Sequence, residues 1–252
     1  MRLISWDNLP EKMKNDSVKK YYGMLSKKKR ALFLKRVFDF VAGIIMLSAL
    51  SPLFLVLGAA IKIDSAGPVF FRQTRVTQYG REFMIYKFRT MKADAGKKGF
   101  QMATERDDRI TRLGRILRKS RLDEFPQLIN IIKGEMSFVG TRPEVKKFVE
   151  EYTDEMLATL LLPAGTTSLA SIRYMEEDKI IAQAEDANRF YQEVILPEKM
   201  KHNQKSVEEF SLLNDLKTIA ATVLVVWGRK SAGKYLETGA ENKKGRRSIV
   251  WR

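Results

Sequence analysis

The feature that most constrains the fold is a long apolar stretch, VFDFVAGIIMLSALSPLFLVLGAAIKI, which runs from Val37 to Ile63. Its charged residues are Asp39 near the beginning and Lys62 near the end. About 25 helical residues at ~1.5 Å each reach ~37 Å, which exceeds the ~30 Å thickness of the hydrocarbon core of a bilayer. The chain therefore contains a segment with the length and composition of a membrane helix.

Ser51 and Pro52 interrupt this segment near its middle. Pro52 has no backbone N–H to donate to the carbonyl of Ser48, and its ring clashes with that carbonyl, so a kink or break is predicted. The hydroxyls of Ser48 and Ser51 are well placed to hydrogen-bond the freed carbonyls, which makes such a break tolerable inside a bilayer. Each half, at roughly 16 to 21 Å, is too short to cross alone.

Positive charge lies on both sides of the segment. The stretch KKYYGMLSKKKRALFLKR before it has eight basic residues and no acidic one, and basic residues recur after it from Arg72 to Arg89. A spanning helix has one flank that is poorer in Lys and Arg, so two basic flanks favour a re-entrant helix with both ends in the cytoplasm. A straight span and a buried helix of a soluble protein remain as alternatives.

The overall charge indicates an anionic partner. The chain has 46 Lys and Arg against 30 Asp and Glu, a net charge of +16, which suits nucleic acid, a phospholipid surface or phosphorylated substrates. It has no cysteine and a single histidine, His202, which excludes disulfides, thiolate metal sites and the usual zinc spacings. Any metal would be a hard cation bound through oxygen.

The remaining patterns predict an α+β fold that is mainly helical. Two β-rich runs between residues 67 and 88, separated by a turn at Gly80, predict a β-hairpin. DDRITRLGRILRKS predicts an amphipathic helix on an anionic surface or, alternatively, an ordinary solvated helix. LLPAGTTSLASIRY has the composition of a loop, and two helical patterns follow near residues 176–196 and 206–226, the first of them ended by Pro197.

Four segments result. They are a basic N-terminal segment at 1–34, the re-entrant membrane helix at 35–63, a cytoplasmic catalytic domain at 64–227 and a basic C-terminal tail at 228–252.

Two adjacent carboxylates, Asp123 and Glu124, begin an apolar helical pattern in SRLDEFPQLINIIKG. Ser120 is a candidate N-cap and Gly134 a candidate C-terminal stop, which would place both carboxylates in the first helical turn. The helix dipole favours negative charge there, and this is a sufficient structural explanation for the pair.

Nearby arginines favour a functional explanation. Arg118, Arg121 and Arg142 are close in sequence to the two carboxylates, and Arg142 precedes a Pro at another predicted helix start. Guanidinium groups and helix N-termini both bind phosphate. A carboxylate beside phosphate can act as a nucleophile while its neighbour holds Mg²⁺, so the pattern suggests phosphoryl transfer at a membrane surface.

Several long motifs resemble a known family. KRVFDFVAGIIMLSALSPLFL, GPVFFRQTRVTQYGREFMIYKFRTM, DDRITRLGRILRKSRLDEFPQLINIIKGEMSFVGTRPE and LLPAG, spread over about residues 35–170, resemble the bacterial sugar transferases, which are monotopic polyprenyl-phosphate phosphoglycosyl transferases. The resemblance implies a re-entrant helix broken at Ser51 and Pro52. It also implies transfer of a phosphosugar from a nucleotide diphosphate sugar, usually a UDP-sugar, to undecaprenyl phosphate with Mg²⁺ and release of UMP. The expected location is the cytoplasmic face of the bacterial inner membrane.

The resemblance also implies roles for individual residues. Asp123 would attack the sugar-bearing phosphate to form a covalent phosphosugar intermediate, Glu124 would help bind Mg²⁺, and Arg142 would hold phosphate. Inverted roles for the two carboxylates, and direct attack by the lipid phosphate on the donor, stay open. Further phosphate contacts are expected from Arg72, Lys87, Arg89 and Arg118.

The sequence departs from the family pattern in two places. Thr141 stands where the family usually has Pro before the Arg, which puts the stiffness of that turn in doubt. PAGTTSLASIRY differs from the usual Pro-Gly-Ile-Thr-Gly-Leu-Ala-Gln-Val in a loop expected to help read the sugar or the nucleotide, which leaves the donor sugar open, and the glycan pathway is open as well. The expected partners are a UDP-sugar, undecaprenyl phosphate, membrane lipids and a second copy of the chain in a homodimer, without nucleic acid. Competing hypotheses are a non-catalytic membrane scaffold and a basic nucleic-acid-binding protein, the latter opposed by the apolar segment and by the lack of a nucleic-acid-reading motif.

Overall fold

The computed structural model describes residues 1, 3–92, 107–175, 177–181, 184 and 186–228. Apart from residue 228, the predicted C-terminal tail lies outside the described residues. Four strands form two small sheets, with β1 at Phe70–Val76, β2 at Glu82–Phe88, β3 at Met136–Val139 and β4 at Ala164–Thr167. Eleven α-helices are described: α1 Asp16–Ser26, α2 Lys29–Asp64, α3 Arg112–Ser120, α4 Gln127–Lys133, α5 Lys146–Val149, α6 Asp154–Leu157, α7 Leu169–Arg173, α8 Glu177–Ile181, α9 Ala187–Phe190, α10 Leu196–Glu208 and α11 Leu212–Gly228.

The apolar segment forms α2, which has 36 residues and starts earlier than the predicted residue 35. The helix continues through Pro52. The Ser51 hydroxyl donates a hydrogen bond of 2.8 Å to the carbonyl of Ser48, which is the carbonyl that Pro52 cannot reach. The side-chain compensation expected at the Ser-Pro pair is therefore present, while the re-entrant break stays a prediction.

One stripe of α2 contacts the rest of the protein. Leu47, Leu50 and Phe54 pack against a core of β2 and α4 residues, and Leu57 and Ile61 pack with Phe88 and Leu117. Other faces of the helix are exposed and apolar. The exposed large side chains are Phe33, Leu34, Val37, Phe40, Val41, Ile44, Ile45, Met46, Leu55, Val56 and Ile63. Within the described part of the chain, α2 is the one helix long and apolar enough to cross a membrane.

The predicted β-hairpin is confirmed. Strands β1 and β2 pair antiparallel, and Gly80 in the connecting turn has a φ of +73°, which favours glycine. The side-chain amide of Asn130 in α4 accepts a hydrogen bond from the Tyr86 N–H and donates one to the Met84 carbonyl. Through Asn130, α4 is fixed to the edge of β2.

Strands β3 and β4 pair in parallel, and this pairing corrects the interpretation of residues 161–174 as a loop. The segment contains β4 and then α7. Gly140 and Gly165 allow the two backbones to approach very closely, since a Cβ atom added to Gly165 would lie 2.1 Å from the Gly140 nitrogen. Thr166 and Thr167 favour a strand, but Ala164 and Gly165 do not, so the tertiary pairing with β3 determines the strand.

The expectation that Pro197 ends a helix is wrong. A π-helical turn at Tyr191–Ile195 continues directly into α10, and Pro197 lies in the first turn of that helix. The fixed φ of proline is compatible with this position, two residues after the end of the π-helical turn. The last described helix, α11, is joined to α2 by a buried ion pair between Lys35 and Asp215.

Candidate active site

The turn that carries the two carboxylates differs from the prediction. Helix α3 ends at Ser120, its C-cap Arg121 adopts a left-handed conformation with φ of 58°, and residues 122–124 form a short 3₁₀ turn before α4. The carboxylates therefore precede α4. Pro126 explains this because it cannot donate to the carbonyl of Leu122, so an α-helical ladder cannot run through the turn.

Of the two predicted helix caps, the N-cap is wrong and the C-terminal stop is confirmed. Ser120 does not cap the helix that follows, because it is the last residue of α3 and its hydroxyl donates 2.9 Å back to the Ile116 carbonyl. Gly134 does end α4, with a φ of +81°.

Glu124 lies at the meeting point of three elements. Its side chain is 8% exposed, and Oε1 accepts hydrogen bonds of 2.8 Å from Lys87 Nζ and of 2.8 Å from Arg142 Nη2. Lys87 comes from β2, and Arg142 follows β3 by three residues. The hairpin, the 3₁₀ turn and the segment after β3 thus bring three residues that are distant in sequence to one place.

The charges around Glu124 favour its ionised form. Burial opposes ionisation, but Arg142 and Lys87 hold the pKa of Glu124 well below its usual range. The same carboxylate raises the pKa of Arg142, whereas burial lowers the pKa of Lys87 despite the attraction of Glu124. Glu124 is therefore an ionised and firmly held acceptor.

Asp123 has a different environment. It is 7% exposed, and within the described part of the chain its buried Oδ1 atom has no hydrogen-bond partner. Burial and the neighbouring Glu124 charge raise the pKa of Asp123, although Lys87, Arg118 and Arg121 act in the opposite direction. The site thus combines one carboxylate bound by two cations with one more basic carboxylate that has a free oxygen.

Of the other arginines predicted to contact phosphate, one lies near the carboxylate pair and two lie elsewhere. Arg118 is near enough to favour the ionised form of Asp123. Arg89 is buried at the C-terminal end of α2, where Nη2 donates to the Ser65 hydroxyl at 3.0 Å. Arg72 is exposed and lies over the Tyr86 ring at 5.0 Å. Among the described contacts, neither Arg89 nor Arg72 bonds to the carboxylate pair.

A buried polar network behind Arg142 was not predicted. Arg75 donates 3.1 Å to the Pro143 carbonyl, the Tyr191 hydroxyl donates to Glu144, and Lys199 donates 2.8 Å to Glu177. Tyr191 lies in the π-helical turn, a feature that often marks functional sites. Lys199 is buried although it belongs to the polar run KMKHNQK, which has the composition of a solvated surface, so its burial is not predictable from this run.

A cavity of about 740 Å³ begins at the carboxylate site. Its lining divides into a charged part and an apolar part. The charged part includes Arg121, Glu124, Arg142, Glu177 and Lys199, and the apolar part includes Met46, Leu128, Ile131, Phe138, Ile219, Val223, Val225 and Val226. Thr166, in the strand that sequence analysis had assigned to a loop, also lines it. Such a cavity suits a ligand with a charged head and an apolar body.

The carboxylates can accommodate Mg²⁺ in one of its common modes. Among the described residues there is no group of three Asp, Glu, His or Cys side chains that could hold a metal. Mg²⁺ is often bound by one or two carboxylates with substrate phosphates and water completing its shell. The free oxygen of Asp123 and the adjacent Glu124 fit this mode, and the other ligands would come from a phosphorylated substrate.

Comparison with known proteins gives consistent matches. The profile of the bacterial sugar transferase family matches residues 30–229. A UDP-glucose:undecaprenyl-phosphate glucose-1-phosphate transferase of Caulobacter vibrioides is 34% identical over 192 residues, which cover 75% of this chain and 68% of the relative. A UDP-N-acetylgalactosamine-undecaprenyl-phosphate N-acetylgalactosaminephosphotransferase of Aeromonas hydrophila is 44% identical over 124 residues, 49% of this chain and 29% of the relative. A UDP-glucose:undecaprenyl-phosphate glucose-1-phosphate transferase of Escherichia coli is 32% identical over 203 residues, 79% of this chain and 41% of the relative.

Proposed function

This chain belongs to the bacterial sugar transferase family, and from that membership we propose that it transfers a sugar 1-phosphate from a UDP-sugar to undecaprenyl phosphate and releases UMP. The names of its relatives support both substrate classes. The observation that carries the proposal is the carboxylate pair. Lys87 and Arg142 bind Glu124, which lines the cavity, while the adjacent Asp123 keeps a buried oxygen without a hydrogen-bond partner among the described residues.

In the first step, an Asp123 carboxylate oxygen attacks the phosphorus atom that bears the sugar. A bond between this oxygen and phosphorus forms, the bond from phosphorus to the bridging oxygen of the diphosphate breaks, and UMP leaves with that oxygen. The raised pKa of Asp123 makes its carboxylate a stronger nucleophile than an ordinary aspartate. Arg118 and Arg121 supply positive charge beside the phosphate groups.

In the second step, a phosphate oxygen of undecaprenyl phosphate attacks the same phosphorus atom. The bond from phosphorus to Asp123 breaks, the carboxylate is regenerated, and the lipid product carries a diphosphate linked to the sugar. Arg142, bonded to Glu124 at the mouth of the cavity, is well placed to position both phosphorylated substrates in turn.

We assign the binding of Mg²⁺ to Glu124, with the donor diphosphate as the second source of oxygen ligands. When bound, the metal neutralises charge on the diphosphate and so favours departure of UMP. Glu124 remains ionised in this environment because Arg142 and Lys87 keep its pKa low.

We place the protein on the cytoplasmic face of the bacterial inner membrane, with α2 as a re-entrant helix. Both halves of α2 contact the same domain, through Arg36 and Asp39 in the first half and Leu57 and Ile61 in the second. Apolar side chains on the exposed faces of α2 would contact lipid.

The test is UMP release by the full chain in detergent with Mg²⁺, undecaprenyl phosphate and a panel of UDP-sugars. We expect release with one or more donors, dependence on the metal, and loss of release in Asp123→Asn. The matched control is Asp186→Asn, which changes an exposed helix N-cap where Asn caps equally well. Turnover that survives in Asp123→Asn would refute the role of Asp123, and no turnover of any donor by folded protein would refute the reaction.

An assay without undecaprenyl phosphate distinguishes the covalent mechanism from direct attack by the lipid. The covalent route predicts one equivalent of UMP and a phosphosugar adduct on the peptide that contains Asp123, detectable by mass spectrometry. Direct attack by the lipid predicts neither product until undecaprenyl phosphate is added.

A further inference from the structure

The C-terminal helix α11 forms a large part of the cavity wall, although the proposed chemistry uses none of its residues. Ile219, Thr222, Val223, Val225 and Val226 line the cavity that also contains Glu124 and Arg142. The family profile extends to residue 229, but the motifs that imply residue roles end near residue 170, so they assign none to this helix. Its position beside the site calls for a functional explanation.

Two polar contacts hold α11 against the domain. The hydroxyls of Thr167 in β4 and Thr222 in α11 form a hydrogen bond of 2.8 Å. Near the other end of the helix, the buried ion pair of Asp215 with Lys35 fixes α11 to α2. The wall is thus built from elements that are fixed to the rest of the domain.

The apolar wall continues to the outside of the protein. Val223 and Val226 line the cavity and are also 52% and 40% exposed. Met46 of α2 lines the cavity, and it too is 40% exposed. The rim therefore joins the exposed apolar surfaces of α2 and α11, which provides a route from a lipid phase to the carboxylates.

The two substrates differ in which part of the cavity they fit. A nucleotide sugar carries hydroxyls and charges along its length, so placing it against the apolar wall would leave polar groups unpaired. A polyprenyl phosphate has one anionic head for the cluster with Arg121 and Arg142, and an apolar chain for the wall. A cavity with one charged part and one apolar part therefore matches the polyprenyl phosphate acceptor rather than the nucleotide sugar donor.

We propose that α11, together with Met46 of α2, forms the binding site for the first isoprene units of the polyprenyl phosphate acceptor. The inference rests on the proposed function, since it concerns the acceptor of that reaction. A cavity of about 740 Å³ accommodates a ligand of drug size, so the rest of a long chain lies outside, along the exposed apolar faces of α2 and α11.

The first experiment needs no turnover and so does not depend on the proposed reaction. The full chain in detergent is irradiated with a prenyl phosphate that carries a diazirine on its second isoprene unit, without any nucleotide sugar. We expect label on residues 219–226 and on Met46, and loss of that label when unlabelled undecaprenyl phosphate competes. Competed label confined to other parts of the chain would overturn the inference.

The second experiment compares variants on α11 in the transfer assay. Val223→Trp narrows the rim at a half-exposed position, and Ile219→Ala removes apolar contact area from the wall. In Ile219→Ala, the loss of about two methyl or methylene contacts with the lipid corresponds to about a tenfold rise in KM for the lipid. In Val223→Trp, the larger side chain should obstruct entry of the lipid and raise its KM as well. We expect KM for the UDP-sugar to stay unchanged in both variants.

The matched control is Leu224→Trp, which changes a 67% exposed residue of the same helix that does not line the cavity. A water-soluble ten-carbon prenyl phosphate serves as a second acceptor. We expect its KM to rise in Val223→Trp and stay unchanged in Leu224→Trp. Equal effects of the two Trp variants, or an unchanged lipid KM in both Val223→Trp and Ile219→Ala, would refute the inference while leaving the transfer reaction intact.

Discussion

Asp123 and Glu124 are adjacent in the chain, yet their surroundings shift their pKa values in opposite directions. Glu124 accepts hydrogen bonds from Lys87 and Arg142, so its charge is neutralised in place. Asp123 keeps a buried oxygen without a partner in the described structure, and its pKa is raised by burial. Divergent pKa values of this kind are typical of carboxylate pairs with separate catalytic roles. The asymmetry supports Asp123 as nucleophile over the inverted assignment.

The first prediction is that Asp123→Asn stabilises the protein while it abolishes transfer. Because the folded-state pKa of Asp123 is raised, ionisation costs stability above that pKa, and the cost disappears as the pH falls below the unfolded-state value. At neutral pH, Asn removes this cost, so the free energy of unfolding should rise by about 1 kcal/mol. A rise in Tm of roughly 2–4 °C should be measurable by thermal unfolding in detergent.

The pH dependence of this effect provides its control. The difference in Tm between wild type and Asp123→Asn should shrink as the pH is lowered through the raised pKa of Asp123. Asp186→Asn, at an exposed N-cap where Asn caps equally well, should leave Tm at neutral pH unchanged. A lower Tm for Asp123→Asn at neutral pH would contradict a costly ionised carboxylate at this position.

At the scale of elements, the helices and strands that depend on interactions between residues close in sequence could be predicted from sequence patterns. The presence of α2, the hairpin and the helix stop at Gly134 follow from an apolar run, β-rich strands around a turn and a glycine with positive φ. Strand β4 could not be predicted, because it is only four residues long, begins with Ala and Gly, and pairs with β3 about 25 residues earlier.

In the candidate site too, contacts between residues distant in sequence could not be predicted. The resemblance indicated the carboxylate pair, Lys87 and Arg142, but only tertiary structure brings Lys87 and Arg142 to one oxygen of Glu124. It likewise decides that Arg89 lies against the end of α2. In a chain with 46 Lys and Arg, composition does not show which basic residues contact the carboxylate pair.

The second prediction concerns the contact between β3 and β4. In Gly165→Ala, the new Cβ would meet the Gly140 nitrogen at 2.1 Å and the Gly140 oxygen at 2.4 Å, so the strands must separate. The loop that carries Arg142 begins at this crossing, and its displacement should break the contact with Glu124. We expect the unfolding free energy to fall by about 3 kcal/mol or more, with loss of transfer activity, as measured by thermal unfolding and UMP release.

A matched glycine substitution is available in α1. A Cβ atom added to Gly23 meets nothing within 4 Å, and the residue lies inside a helix. Gly23→Ala should therefore leave transfer unchanged and stabilise the protein by about 0.5–1 kcal/mol. If Gly165→Ala behaved like Gly23→Ala, the close approach of Gly140 and Gly165 would not exist in solution.

At the scale of the whole molecule, α2 lies beside the domain rather than projecting from it. The Arg36 guanidinium donates 2.7 Å to the carbonyls of both Ile131 and Ile132 at the end of α4, and Asp39 accepts a 3.3 Å hydrogen bond from the Phe138 N–H. In the second half, Leu57 and Ile61 belong to a core shared with β2 and α3. A helix of 36 residues, about 54 Å if straight, that crossed the bilayer would lose one of these sets of contacts.

The third prediction is that both ends of α2 face the cytoplasm. The chain has no cysteine, so single cysteines can be introduced at Lys12 before the helix and at Lys62 near its end, both of which are exposed. A membrane-impermeant maleimide should label both variants in inverted membrane vesicles and neither in intact spheroplasts. Leu55→Cys, on the apolar face at 77% exposure, should react in neither preparation until detergent is added. Labelling of Lys12→Cys and Lys62→Cys from opposite sides would mean that α2 spans the membrane, and the contacts of its two halves with one domain could not then coexist.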